Sequence, residues 1–189
     1  YAPADARAAF IAVKDAAAGY GAHIVAIPRD NLPILTKQGT DEPLFKAADD
    51  FESVTQVRAN DGAKAAIVSV GAPSYVAIEA ADKLQPEGTA ADVYIVNGFP
   101  VADDFFDGLG EKYPGGVVTV EDGLIGDRNS GVRGFAAYAA TRLYDSHVPI
   151  SHVGICNPAV APSEHFHLVW EHFGITADNI ASQVKLLAG

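Results

Sequence analysis

Apolar residues along the chain fall alternately into short β-branched runs and longer stretches with helical spacing, and the alternation becomes regular only after Asp61-Gly62. Ala65–Val70 reads as a strand, Pro73–Leu84 as a helix, Ala91–Val96 as a strand, and Ala102–Tyr113 as a weaker helix interrupted by Gly108 and Gly110. Val117-Val118-Thr119-Val120 suits a strand buried on both faces. The next helix, ending at Leu143, takes Ser130 as its N-cap. Ser151–Ile155 supplies a last strand, and Ser163–Phe173 and Ala177–Leu187 supply two closing helices. Such alternation predicts an α/β fold, a three-layer αβα arrangement with a mostly parallel central sheet. Ligands in these sheets sit at the carboxyl ends of strands. Glu121-Asp122 and the glycine-punctuated loop after them are therefore the first place to look for a site.

Before Asp61 the pattern is different. Pro3 and Asp5 open a helix that runs to about Ala18, with Phe10, Val13 and Ala17 as its apolar phases. Gly19-Tyr20-Gly21 stops it, and His23–Ile27 reads as a short buried strand. Pro28–Leu35 cannot be regular, because Pro28 and Pro33 remove amide donors and restrict the residues before them. The expected organisation is a helix and strand without their own sheet at 1–35, a linker at 36–60 with one short strand at Val54–Val57, and a complete α/β domain at 61–189.

About half of the 189 residues are apolar, enough for a sizeable core. A single cysteine, Cys156, cannot form an internal disulfide and fits a reducing, cytoplasmic compartment. No apolar run is long enough to cross a membrane. The chain begins at Tyr1 and contains no Met, which points to a processed product or a fragment. A formal charge of −11 argues against nucleic acid or an anionic membrane as partner. An anionic metabolite would need a local arginine, and there are only six to consider.

Three constellations could carry chemistry. Backbone amides at the start of the helix after Ser130, with Arg128, Ser130 and Gly131, form a candidate anion site; ordinary N-capping by Ser130 is the plainer reading. His165, His167 and His172 lack the three- or four-residue spacing of a helical metal pair, so Phe166, Val169 and Trp170 are expected simply to pack there. Glu121 and Asp122 point in different directions as neighbours on a strand, which suits local hydrogen bonding to the loop better than an acid/base pair. Cys156 reads as a small buried residue.

Arg29-Asp30-Asn31-Leu32-Pro33 resembles the R-Q-N-L-P segment of transketolases, thiamine-diphosphate enzymes of sugar-phosphate metabolism. Pro3-Ala4-Asp5-Ala6, the strand, glycine turn and helix of Val68–Leu84, the VVTVED of Val117–Asp122, and Phe173-Gly174-Ile175-Thr176 with Asn179-Ile180 are similar to segments of that family in the same order. Asp30 stands where the family usually has Gln, and Ala72 where a Ser commonly follows the glycine. The resemblance covers the last part of a transketolase: the final helix and strand of the pyrimidine-binding domain, then the C-terminal domain.

The resemblance implies transfer of a two-carbon ketol unit between sugar phosphates, with thiamine diphosphate and a divalent metal (Mg or Ca) in the full-length enzyme. It also implies a homodimer and the N-terminal part of the same enzyme as partners. The family's diphosphate-binding G-D-G…N segment has no counterpart, since Gly126-Asp127-Arg128 lacks the second glycine. No cofactor and no catalytic residue are therefore expected in this chain alone, which should be inactive by itself and serve assembly and substrate binding. Arg29 matches the family arginine that contributes to binding the substrate phosphate, a task suited to a bidentate guanidinium. The plainer alternative pairs Arg29 with Asp30 or the acidic linker. Two other functions remain open: a small-anion-binding module for regulation or assembly, and the β-subunit branch of 2-oxoacid dehydrogenases.

Overall fold

The computed structural model describes residues 1–127 and 129–189. In chain order the first elements are α1 (Ala6–Ala18), β1 (Val54–Arg58), β2 (Ala65–Val70), α2 (Ser74–Leu84), β3 (Ala91–Val96), α3 (Asp103–Lys112) and β4 (Gly116–Leu124). They are followed by β5 (Gly126–Asp127), β6 (Gly131–Val132), α4 (Gly134–Arg142), β7 (Ile150–Ile155), α5 (Phe166–Phe173) and α6 (Ala177–Ala188). The central sheet has the order β1-β3-β2-β4-β7. Its four inner and carboxyl-side strands are parallel, and β1 adds an antiparallel edge to β3.

Strand residues alternate between two apolar faces, which is why a helix layer can cover each side. Ile67, Val93, Ile95, Val118 and Val120 face one layer, where α2 and α6 pack on each other and on the sheet. Ala66, Val68, Val96 and Val117 face the other layer, formed by α3 and α4 with Phe106, Leu109 and Phe135. The three-layer α/β arrangement read from the sequence is the one observed. No helix among the described residues is long and apolar enough to cross a membrane.

The first 60 residues depart from expectation in two ways. The inward face of α1 is Ala8, Ile11 and Ala12, while Phe10, Val13 and Ala17 face solvent. The buried Asp5 carboxylate sets that rotation: Oδ1 accepts from Arg7 N and Ala8 N, and Oδ2 accepts from Leu35 N at 2.8 Å. His23–Ile27 forms no strand, and Ile24 and Ile27 are exposed. Its backbone is held by Tyr1, whose N donates to Ile24 O and whose O accepts from Ala26 N. The short strand expected at Val54–Val57 is present as β1, one residue longer; it forms the sheet's antiparallel edge, anchored by a bidentate pair from the buried Arg58 to Asp82. Pro28–Leu35 has no helix or strand, as its prolines require.

Two helix starts also shift. α4 begins at Gly134, and α5 begins at Phe166 rather than Ser163.

Candidate functional site

The carboxyl ends of β2 and β4 define the point where strand order reverses, since the chain moves from β2 outward to β3 and then crosses back to β4. Val70 and Gly71 end one strand, and Glu121-Asp122 lie near the end of the other. The two acidic neighbours diverge. Glu121 turns inward and is buried, and its Oε1 accepts from Ala136 N at 2.8 Å, capping α4. Burial pushes this carboxyl above its ordinary value, with the amides of Ala136 and Phe135 working the other way. A methyl group at Gly134, whose φ is +62°, would meet both Glu121 oxygens and Leu124 O.

Asp122 instead lines a cleft of ≈ 230 Å³ between Val70-Gly71 and the N-terminal segment Ala26–Pro28. Its edge stays exposed, but crowding by the cleft walls raises its carboxyl above the ordinary range. The N-terminal segment is held over the crevice by Ala2 N, which donates to Asn97 O at the end of β3. Arg29 is the residue after Pro28, which lines this cleft, and is exposed. It forms no hydrogen bond or ion pair with another described residue, so neither Asp30 nor the acidic stretch at 49–52 engages it.

The second candidate is arranged differently from its reading. Ser130 and Gly131 lie in the tight β5–β6 hairpin, and Arg128 lies outside the described residues. Asp127 Oδ1 accepts from Asn129 N, Ser130 N and Ser130 Oγ at 2.7–2.9 Å, bonds that hold its carboxyl below the ordinary range. Ser130 therefore closes the hairpin and does not cap α4, whose cap residue is Arg133. The amides that a helix terminus would have offered an anion are taken by Asp127. Arg133, which was not singled out from the sequence, donates to Ser130 O and lines a cleft of ≈ 370 Å³ with Cys156 and Asn157 at the ends of β4 and β7. Its place at the end of a glycine-rich loop in a chain with few arginines was the available signal.

Cys156 is exposed, contrary to expectation, because β7 ends one residue earlier and the chain turns away at the sheet's open edge. Trp170 is buried with Phe166 against it, the packing expected there, while His165 and His167 stack on the surface and His167 Nδ1 meets the Tyr75 hydroxyl. Among the described residues no group of three or more His, Cys, Asp or Glu side chains is placed to hold a metal ion. With Asp127 occupied by its own hairpin, these residues do not fit a site for a diphosphate and its metal.

No described protein family and no curated protein matches the chain by sequence. Solved structures do match it in three dimensions. The whole chain superposes on 57% of a split-gene transketolase, an inactive β4 tetramer, with a TM-score of 0.82 and 24% identity. It superposes on 25% of a Pichia stipitis transketolase in complex with sedoheptulose-7-phosphate, with a TM-score of 0.67 and 19% identity. A Leishmania mexicana transketolase matches 72% of this chain over 18% of its own length, with a TM-score of 0.51 and 22% identity. The chain thus spans little more than half of the split-gene subunit and a quarter of the Pichia enzyme. Its α/β fold is like the C-terminal part of a transketolase.

Proposed function

We propose that this chain is the C-terminal part of a transketolase-like enzyme that transfers two-carbon ketol units between sugar phosphates, and that Arg29 binds the substrate's phosphate. Superposition of the entire chain, including the irregular first 60 residues, on a split-gene transketolase carries this reading. The state of Arg29 supports it: the residue is exposed, pairs with no described residue, and directly follows Pro28, which lines the switch-point cleft, on a segment stiffened by Pro28 and Pro33. Its five donors are then open to phosphate oxygens, for which the planar fork is suited.

Residues 1–35 serve as the last helix and strand of a pyrimidine-binding domain, 36–60 as the connection, and 61–189 as the C-terminal domain. The outer face of α1, with Phe10 and Val13, and the exposed Tyr20, Ile24 and Ile27 seat the N-terminal part of the same enzyme within a cytoplasmic homodimer. Thiamine diphosphate and its divalent metal, which supply the bond-breaking chemistry, belong to that N-terminal part. The isolated chain is inactive.

The test is kinetic. In the enzyme reconstituted with its N-terminal part, Arg29→Ala should raise KM for phosphorylated sugars about 10- to 100-fold and leave a non-phosphorylated substrate unaffected. Unchanged KM removes the assignment of Arg29. Ketol transfer by the pure 189-residue chain removes the reading of an inactive part.

A further inference from the structure

The two edges of the central sheet are finished differently. At the β1 edge the ladder shifts register between Gln56 and Arg58, and residues 36–38 are tied to the strand's end: Thr36 O accepts from Arg58, and Gln38 Oε1 accepts from Ala59 N. Bulges, charged side chains and covering segments keep a sheet edge from pairing with another chain. β7 closes the other edge with none of these. It pairs only with β4, and Ile150–Ile155 contains no proline and no charged residue. Burial holds the His152 imidazole below its ordinary value, so it is neutral at pH 7. The ladder fixes which backbone groups point outward. Val117 N donates to Pro149 O and Ile125 N to Ile155 O, so from 149 to 155 the odd-numbered residues face β4 and the even-numbered ones face away. Gly154 is buried, with the Cys156 thiol 3.9 Å from its carbonyl, but Val148, Ile150 and His152 are part-exposed. Among the described residues, only β4 hydrogen-bonds to the backbone of 148–152. Large apolar side chains flank this open stretch in both helix layers. Tyr144, 76% exposed, follows α4 with its ring against His147. Leu186, 75% exposed, lies in the last turn of α6, where Leu187 and Pro149 O both border Gly116.

We propose that residues 148–152 pair antiparallel with the same residues of a second copy of this chain, across a two-fold axis at Ile150, joining two five-stranded sheets into one. The stretch is complementary to itself. Ile150 faces the partner's Ile150 and Val148 faces the partner's His152, so each outward N–H meets an outward carbonyl and no like charges are opposed. The N–H that Pro149 lacks would have pointed to β4, so the outer ladder loses no donor there. In a chain of net charge −11 most of the surface repels a second copy, and an uncharged strand with apolar flanks is where two copies can approach. A basic segment of another protein, the complement of an acidic chain, finds no carboxylate on this strand. An axis perpendicular to the sheet brings each helix layer beside its own counterpart, which places Tyr144 and Leu186 at the borders of the contact. This surface is separate from the outer face of α1 and does not depend on the role of Arg29.

The test is sedimentation velocity of the 189-residue chain over a dilution series, with amide hydrogen exchange measured at both ends of the series. A reversible dimer is expected. Dimerisation should slow exchange at Ile150 and His152 about tenfold or more, while Ser151 and Val153, already bonded to β4, stay unchanged. The double variant Tyr144→Glu/Leu186→Glu alters only exposed side chains, so it should keep the unfolding free energy and weaken dimerisation about tenfold or more. Phe10→Asp should leave this dimer intact. A chain that stays monomeric, a dimer equally tight in the double variant, or a dimer lost in Phe10→Asp would overturn the proposal. So would exchange protection that misses 148–152, or that appears there only when the N-terminal part of the enzyme is added. None of these outcomes bears on Arg29, whose role is read from KM.

Discussion

The Glu121 carboxylate caps a helix that begins well beyond it: its Oε1 accepts from the backbone N–H of Ala136, 15 residues on, at 2.8 Å. This bond ties the end of β4 to the start of α4 across the β5–β6 hairpin, so the carboxyl edge of the sheet depends on one buried acid. Glu121→Ala should destabilise the chain by about 1–2 kcal/mol in urea unfolding, as loss of a helix cap does. The pH dependence follows from the raised carboxyl. The native state holds its proton more tightly than the unfolded state, so this group's contribution is complete below the unfolded value of about 4.3 and is lost as pH rises through the folded value. Relative to Glu121→Gln, the wild-type chain should therefore lose stability over that window, and a flat difference would contradict the assignment.

Asp92 titrates in the opposite sense. Burial works to raise its carboxyl, but hydrogen bonds from Asn60 N, Tyr113 and Lys112 outweigh it and hold it below the ordinary range. Its stabilisation is present above the unfolded value of about 3.9 and lost as pH falls through the lowered folded value. Asp92→Asn should cost about 2–4 kcal/mol at pH 7, since it leaves buried donors short of an acceptor, and should flatten the acid limb of the stability curve. Burial and the adjacent Asp92 push the Tyr113 phenol far up, so no ionisation of Tyr113 should appear in an alkaline absorbance titration while the fold persists.

Asp5 should control one segment rather than the whole chain. Asp5→Ala strips acceptors from the amides of Arg7, Ala8 and Leu35 together. Hydrogen exchange should quicken through α1 and around Leu35, by a local loss of about 2 kcal/mol, while β2, β3 and β4 keep their protection.

Gly131 and Gly134 share a left-handed backbone, with φ of +79° and +62°, but not their surroundings. Among the described residues nothing lies within 4 Å of a methyl group at Gly131, so Gly131→Ala should cost only the backbone strain of about 1 kcal/mol. Gly134→Ala drives a methyl group onto the Glu121 carboxylate and should cost clearly more, along with the cap. Equal melting temperatures for the two variants would contradict this packing.

Phe10 lies on the outer face of α1, 56% exposed. Phe10→Asp should leave the fold and unfolding free energy of the chain within about 0.5 kcal/mol and should weaken assembly with the N-terminal part in sedimentation or mass photometry.

The α/β layering was legible because each strand carries a two-faced apolar run and each helix a matching stripe, as Ile67 and Val68 illustrate by facing opposite layers. The first 60 residues were less legible. Phe10 and Val13 look like a core face, but burial of Asp5 against Leu35 rotates α1 so that Ile11 goes inside. His23–Ile27 has the composition of a buried strand and yet, among the described residues, its backbone pairs only with Tyr1, because β-rich composition does not supply a neighbouring strand.

The candidate site divides in the same way. Arg29 could be picked out because its segment, Arg29–Pro33, resembles a transketolase motif, whereas the place of Ser130 depended on whether Asp127 or a helix terminus would hold its amide. The sequence by itself determined the order of elements and the two-sided sheet, and its resemblance to a known family pointed to the arginine worth testing. Only the tertiary structure decided which face of α1 is buried, which acid caps α4, and that Asn97 keeps an acceptor without a donor. Those outcomes are set by contacts between residues far apart in the chain, and a carboxylate or amide meets its partner only once the backbone has brought them within hydrogen-bonding distance.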